Sequence, residues 1–423
     1  MCDSRKAGPD FGPFRQKVPV PLFHSRLARA SRSPDNDRMD PSTYRTADFA
    51  RSPLMFYYEV TLACDLVCKH CRASAQEKPD PDELGTQEAK ALLSQAATFP
   101  RRPTVVLTGG DPLKRHDLVE LVRHAVDCGL EPVLTPSATP LATPEAFRRV
   151  REAGVRRLGI SLDGADAPTH DAFRGWEGSF QRTLGMLRSA RELGLAVQVN
   201  TTVCGRNVGQ LDAIAELLAS QGIAMWAVFF LVPVGRGVQE EALSAQACEE
   251  VFARLFHHAQ TQPYAVKTTE APHYRRFVLQ HGADPLAGPA DNLGPHKVGW
   301  VERSEPHQKQ SAADRAVHAR GHRAPLGVID GRGIMFVSHT GEIYPAGFLP
   351  LRCGQFPKDS VVETYQSHPT FLALRDPDHF RGKCGVCEYR QVCGGSRARA
   401  YALTGDPLES DPSCVYMPQA AAS

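Results

Sequence analysis

Residues 56–71 read FYYEVTLACDLVCKHC: an aromatic and β-branched run, then three cysteines at spacings of four and three. The run has the composition of a buried strand. Five comparable runs follow, TVVLTGG (104–110), EPVLTPSA (131–138), RRLGISLDG (156–164), AVQVNTTV (196–203) and AMWAVFFLVP (224–233). Between them, EAKALLSQAATF, HDLVELVRHAVDCG, TPEAFRRVREAG, FQRTLGMLRSARELG and QLDAIAELLASQG carry apolar residues at helical spacing, and AQACEEVFARLFHHAQ follows the last run. Six strand–helix units in series predict an α/β fold, a parallel sheet curled by right-handed crossovers into a partial (β/α)6 TIM-like barrel. Sites in such folds form at the C-terminal ends of strands. TGGDP, TPSATP and SLDG, as well as the cysteine loop, fall there.

The chain has 423 residues with a net charge of +2, 42% apolar and 23% charged. That balance gives no bulk attraction to nucleic acid or membrane, and no run approaches the ~20 apolar residues of a membrane span. The N-terminus lacks the apolar core of a secretory signal, so a cytoplasmic protein is expected. Residues 1–50 read as a disordered leader, with Met39 as a possible later start, and 51–265 as the barrel. A connecting region, 266–330, contains an insertion at about 281–325 with His281, His296, His307, His318 and His322, read as solvated. Residues 331–423 form a small cysteine-rich module.

Twelve cysteines in such a chain favour metal or redox use over disulfides. Cys2, Cys128, Cys204, Cys248 and Cys353 are scattered and read as small buried hydrophobes. Cys64, Cys68 and Cys71 form one group; Cys384, Cys387, Cys393 and Cys414 form another, spaced C-x2-C-x5-C-x20-C. A cubane iron–sulfur cluster takes four ligands, so three thiolates leave one iron open, while four close a cluster completely. Zinc is the alternative at both places.

The CDLVCKHC loop resembles the signature of the radical S-adenosylmethionine (SAM) superfamily, and the tail resembles its SPASM extension. The resemblance implies a [4Fe–4S] cluster on Cys64, Cys68 and Cys71, whose open iron binds SAM and cleaves it to a 5′-deoxyadenosyl radical. By position it implies SAM contacts from Gly109, Gly110 and Asp111 (usually Glu in the family), Ser161 and Asp163. Ser137, Asn200 and Arg174 join them as candidates, with His70 beside the adenine; turn, strand-end or surface ion-pair roles stay open for these residues. In the tail, Arg397 stands where the full SPASM pattern has a cysteine, Ala346 where it has an upstream ligand, and Cys353 is alone. One auxiliary [4Fe–4S] cluster, on Cys384, Cys387, Cys393 and Cys414, is therefore expected.

Within the superfamily the start of the chain, YEVTLACDLVCKHCRAS followed by LTGGDPLKRHDL, looks closer to the haem-maturation branch, iron-coproporphyrin decarboxylase and the haem d1 enzyme, than to most peptide modifiers. That implies a tetrapyrrole substrate, an external one-electron donor such as flavodoxin or ferredoxin, and neither nucleic acid nor membrane as partner. Lys267, His273, Arg275 and Arg276 become candidates for carboxylate binding at the barrel mouth, or a solvated helix face. A maturase of ribosomally made peptides and a non-enzymatic zinc scaffold are the alternatives. The sequence names no general base.

Overall fold

The computed structural model describes residues 45–282 and 327–419. Among these, β1 (Met55–Thr61), β2 (Thr104–Gly109), β3 (Glu131–Leu134), β4 (Arg157–Ser161), β5 (Ala196–Val203), β6 (Met225–Phe230) and β7 (Ala265–Thr269) lie parallel, side by side in chain order. Beyond β1 come β8 (Ile334–Val337), parallel to it, and the antiparallel β9 (Glu342–Tyr344) and β10 (Gly354–Gln355). With β7 and β10 as its edges the sheet stays open, a partial barrel as the sequence predicts.

The helices are α1 (Thr86–Ala96), α2 (Leu118–Asp127), α3 (Pro144–Ala153), α4 (Ala167–Arg174), α5 (Ser179–Glu192), α6 (Leu211–Ala219), α7 (Ala245–Thr261) and α8 (His273–Gln280), then α9 (Val361–Ser367), α10 (Pro369–Arg375), α11 (Gly382–Gly385) and α12 (Arg397–Thr404). Local chemistry sets their ends. In α3, Thr143 Oγ1 accepts from the Ala146 N–H, Pro144 opens the first turn, and Gly154 closes the helix at φ 125°. Its buried residues, Phe147, Val150 and Ala153, repeat every three positions along one face. No helix of the described residues is long and apolar enough to cross a membrane.

Alternate strand residues divide the sheet into two faces. Phe56, Tyr58, Val60, Val105, Leu107, Leu158, Ile160, Val199, Trp226 and Val228 pack outward under the helices in the main core. Met55, Tyr57, Val106 and Val133 cluster on the inner face. There the register lines up Ser161, Asn200, Ala227 and Lys267 in one row across β4 to β7.

Three expectations need correction. A seventh strand, AVKTT, follows α7; it is an edge strand, half-buried throughout, so polar residues are tolerated and no apolar run betrays it. The module after the insertion is not separate from the sheet, because β8 pairs with β1 from Met55↔Ile334 to Tyr58↔Val337. The leader ends earlier than residue 50: Thr46–Ala50 form a 3-10 turn whose Phe49 is buried against Val328, and Tyr365 donates to the Phe49 carbonyl. The segment 170–175, HDAFRG, forms most of α4, a short helix ahead of α5. Residues 1–44 and 283–326 lie outside the described residues, including Cys2 and the insertion histidines except His281, which stacks on Phe277 at the end of α8.

Candidate active site

The cysteine loop leaves the C-terminal end of β1 and is braced from the ends of β2, β6 and α4. Gly109 and Gly110 bring the end of β2 against it: Gly110 N–H donates to Thr61 O (2.9 Å) and Asp111 N–H to Ala63 O (2.7 Å). A Cβ on Gly110 would lie 2.3 Å from Ala63 O, so only glycine permits this approach. After β6, Gly235, at φ 56°, packs on the Arg72 carbonyl, and Arg236 donates to Cys68 O (2.8 Å) and Ala75 O (3.0 Å). Gly175, closing α4, lies against Val67 O in the same way.

Cys64 and Cys68 are buried and Cys71 half-buried. Their surroundings suit thiolates. Leu66 N–H reaches Cys64 Sγ (3.4 Å), Ala75 N–H reaches Cys71 Sγ (3.5 Å), and Arg174 reaches Cys68 Sγ (3.7 Å). As free thiols Cys64 and Cys68 are disfavoured from ionising; burial pushes Cys64 up to about 11. Three such sulfurs with N–H and guanidinium donors fit a cluster that lacks a fourth protein ligand.

Around them the other candidates take distinct roles. Asp111 is fully buried and turned inward: its carboxylate accepts from Leu113 N–H (3.1 Å), Ser137 N–H (3.3 Å) and the Thr139 hydroxyl (2.6 Å). Ser137 Oγ donates to Gly110 O (2.8 Å) and lies 3.7 Å from Cys64 Sγ. Asp163, also buried, accepts from Thr202 N–H (2.7 Å) and forms an ion pair with Arg174, with His70 Nε2 at 4.0 Å. The Arg174 guanidinium thus bridges Asp163 and Cys68, where the sequence reading offered a SAM contact or a surface ion pair. His70 lies 4.3 Å from the Phe173 ring; burial and then Arg174 hold it neutral, well below its ordinary pKa. Ser161 and Ser137 line a pocket with Leu66, Ile160 and Arg174. Asn200 accepts from Gln198 (2.6 Å) on the inner row.

Three parts of the site escape sequence reading. His170 holds the SLDG turn, its Nδ1 accepting from Asp163 N–H (3.1 Å); burial depresses its pKa to about 3, which keeps it a neutral acceptor. Arg236 braces the loop from β6, and the only signal for it is the GRG after that strand. Glu59 of β1 joins Arg72 (2.5 Å), which follows Cys71, to His339 (2.7 Å), which follows β8. Burial opposes ionisation of Glu59, but Arg72 and His339 outweigh it and hold its pKa below the usual carboxylate range.

The second group converges as well. Cys384, Cys387, Cys393 and Cys414 line a pocket with about 400 Å³ of space, partly open to solvent. Tyr389, Gly395 and Asp411 point N–H groups at Cys387 (3.4 Å), Cys393 (3.4 Å) and Cys384 (3.5 Å). Four thiols around one pocket are the donor set that closes a cubane completely, and they also match zinc. His273 and Arg276 line this pocket rather than the barrel mouth or a solvated face. His273 is fully buried with Nδ1 3.5 Å from Asp411, and Arg276 pairs with Glu249 (3.0 Å). Arg275 donates to Val392 O and Val328 O, and only Lys267 of the four faces the inner row. Ala346 is buried with Val232, Leu349, Leu374 and Ala398, an apolar patch with no sulfur donor. Of the scattered cysteines, Cys204 and Cys248 are buried, while Cys128 and Cys353 are only half-buried.

Comparison with known proteins agrees with this geometry. The radical SAM superfamily model matches residues 58–218. An AdoMet-dependent heme synthase of Methanosarcina barkeri (strain Fusaro / DSM 804) is 37% identical over 87% of this chain and 97% of its own length. A pre-heme d1 synthase of Dinoroseobacter shibae is 28% identical over 88% of this chain and 89% of its own. In fold, the chain matches native anSMEcpe with bound AdoMet and Cp18Cys peptide at a TM-score of 0.61 and 13% identity, over 86% of this chain and 94% of that one.

Proposed function

The chain belongs to the radical SAM superfamily, and on that footing we propose that it oxidatively decarboxylates the propionate side chains of an iron tetrapyrrole. As a member it is an enzyme that uses SAM and a [4Fe–4S] cluster, which Cys64, Cys68 and Cys71 would hold. Bound together, cluster and SAM supply a 5′-deoxyadenosyl radical, able to take one hydrogen atom from a substrate carbon.

The observation that carries the substrate class is the near full-length likeness to the heme synthase. Lys267, on the inner row beside Asn200 and Ser161, supports it, because a cation there complements a propionate carboxylate. A propionate that becomes a vinyl group loses one hydrogen atom and CO2, and releases one electron. Cys384, Cys387, Cys393 and Cys414 would hold an auxiliary [4Fe–4S] cluster able to accept it; with four thiolates no iron is left open for substrate. The residues' own share is positioning and exclusion of water, which would quench a radical. A cytoplasmic flavodoxin or ferredoxin is the proposed electron donor.

An anaerobic assay with SAM, reductant and iron-coproporphyrin tests the reading by mass. Stepwise loss of carboxyl groups, paired with deoxyadenosine, is expected; Cys68→Ala abolishes both. Deoxyadenosine formed without change in the porphyrin rejects the substrate and directs attention to a peptide.

A further inference from the structure

Arg397 is fully buried at the start of α12. Its guanidinium donates to Gly395 O (3.4 Å), Pro407 O (3.2 Å) and Glu409 O (2.8 Å), all neutral acceptors, and lies 4.6 Å from the centre of the Phe380 ring. The remaining contact is Cys384 Sγ, 3.6 Å from Nη2. Among the described residues no carboxylate forms an ion pair with it: Asp411 pairs with Arg399, and Asp330, which accepts from Ala398 N–H, acts on it only from beyond ion-pair distance. A buried cation with no counter-charge in direct contact is costly. The space for it is also specific. A Cβ on Gly395, at φ 67°, would lie 2.4 Å from Arg397 Nη2 and 3.4 Å from Cys384 Sγ.

We propose that Arg397 is a positioning residue of the auxiliary site, whose charge is balanced by the thiolate-ligated cluster and in turn raises that cluster's reduction potential. The proposal rests on the auxiliary-cluster reading above. The physical cause is simple: reduction adds negative charge beside a buried, poorly solvated cation, and hydrogen bonds to the sulfurs favour the reduced form. Where the SPASM pattern places a further thiolate, this chain places a positive charge, so the site is set to accept an electron.

The test is a redox titration, followed by electron paramagnetic resonance, of the reconstituted full chain carrying Cys64→Ala, Cys68→Ala and Cys71→Ala, which isolates the auxiliary site. Arg397→Met keeps bulk and removes charge. At the parent's midpoint its reduced-to-oxidised ratio is expected to fall about tenfold, a shift of about 59 mV for one electron, with iron content unchanged. Arg397→Lys, which keeps charge, should stay within about threefold of the parent. An unmoved midpoint in iron-loaded Arg397→Met overturns the proposal. Should Arg397→Met lose its iron, Arg397→Lys decides: retained iron at the parent midpoint supports the charge role, and any other result assigns Arg397 to folding alone. Absence of iron from the triple-cysteine parent instead sinks the auxiliary cluster itself.

Discussion

Gly110 illustrates how one hydrogen atom in place of a methyl group shapes this site. The end of β2 reaches the Ala63 carbonyl because nothing projects from that Cα. Gly110→Ala is expected to destabilise the chain by about 1–3 kcal/mol, the usual cost of overpacking, and to lower iron at the Cys64 loop while the C-terminal cysteines keep theirs. Denaturant unfolding and iron analysis check both halves; equal iron loss at the two sites would show the glycine acting on the whole fold. The GG pair was legible in the sequence as a place of close approach, but as an approach to a ligand. The structure puts the loop's own backbone there. Asp111 likewise satisfies its carboxylate with Leu113, Ser137 and Thr139, a partnership built across β2 and β3 that no local spacing announces.

At the scale of elements, the strands and helices of the barrel follow from periodicity, since each is long enough to show a buried face. The exceptions are short or edge-placed. β7 is half-buried and partly polar, and β8 is separated from its partner β1 by most of the chain. Connections between elements are also where the cysteine loop is held. Arg236, projecting from the turn after β6, is bonded to two loop carbonyls, each charged hydrogen bond contributing about 1.5–3 kcal/mol. Arg236→Ala should therefore lower iron retention at the first site and slow deoxyadenosine formation with the helical content unchanged. Circular dichroism beside an iron assay measures this, and full iron in the variant would show that the loop holds itself.

For the whole molecule, buried thiols set a pH dependence. Burial pushes Cys64 and Cys204 to about 11 and Cys248 to about 12. Groups raised in this way stabilise the fold below the unfolded thiol pKa of about 8.5 and lose that contribution as pH climbs toward the folded value. Each such thiol costs about 1.4 kcal/mol per pH unit within that window. The urea midpoint of the cluster-free chain should fall between about pH 8 and 10, and fall less after reconstitution, because Cys64 and the other cluster cysteines with raised thiols are then held as thiolates. Equal slopes for the two forms would mean that these cysteines are not ligands.

The two cysteine groups were legible in the chain itself, because all but Cys414 lie a few residues from a neighbour and need only a loop to meet, and the order of strands was written in alternation along the sequence. Tertiary structure alone decided what faces those sulfurs. Arg174 meets Cys68 across 106 positions, Arg236 meets the same residue's carbonyl across 168, and His339 meets Glu59 across 280. Such contacts exist only once a curled sheet has brought its strand ends together, and a one-dimensional pattern carries no record of them.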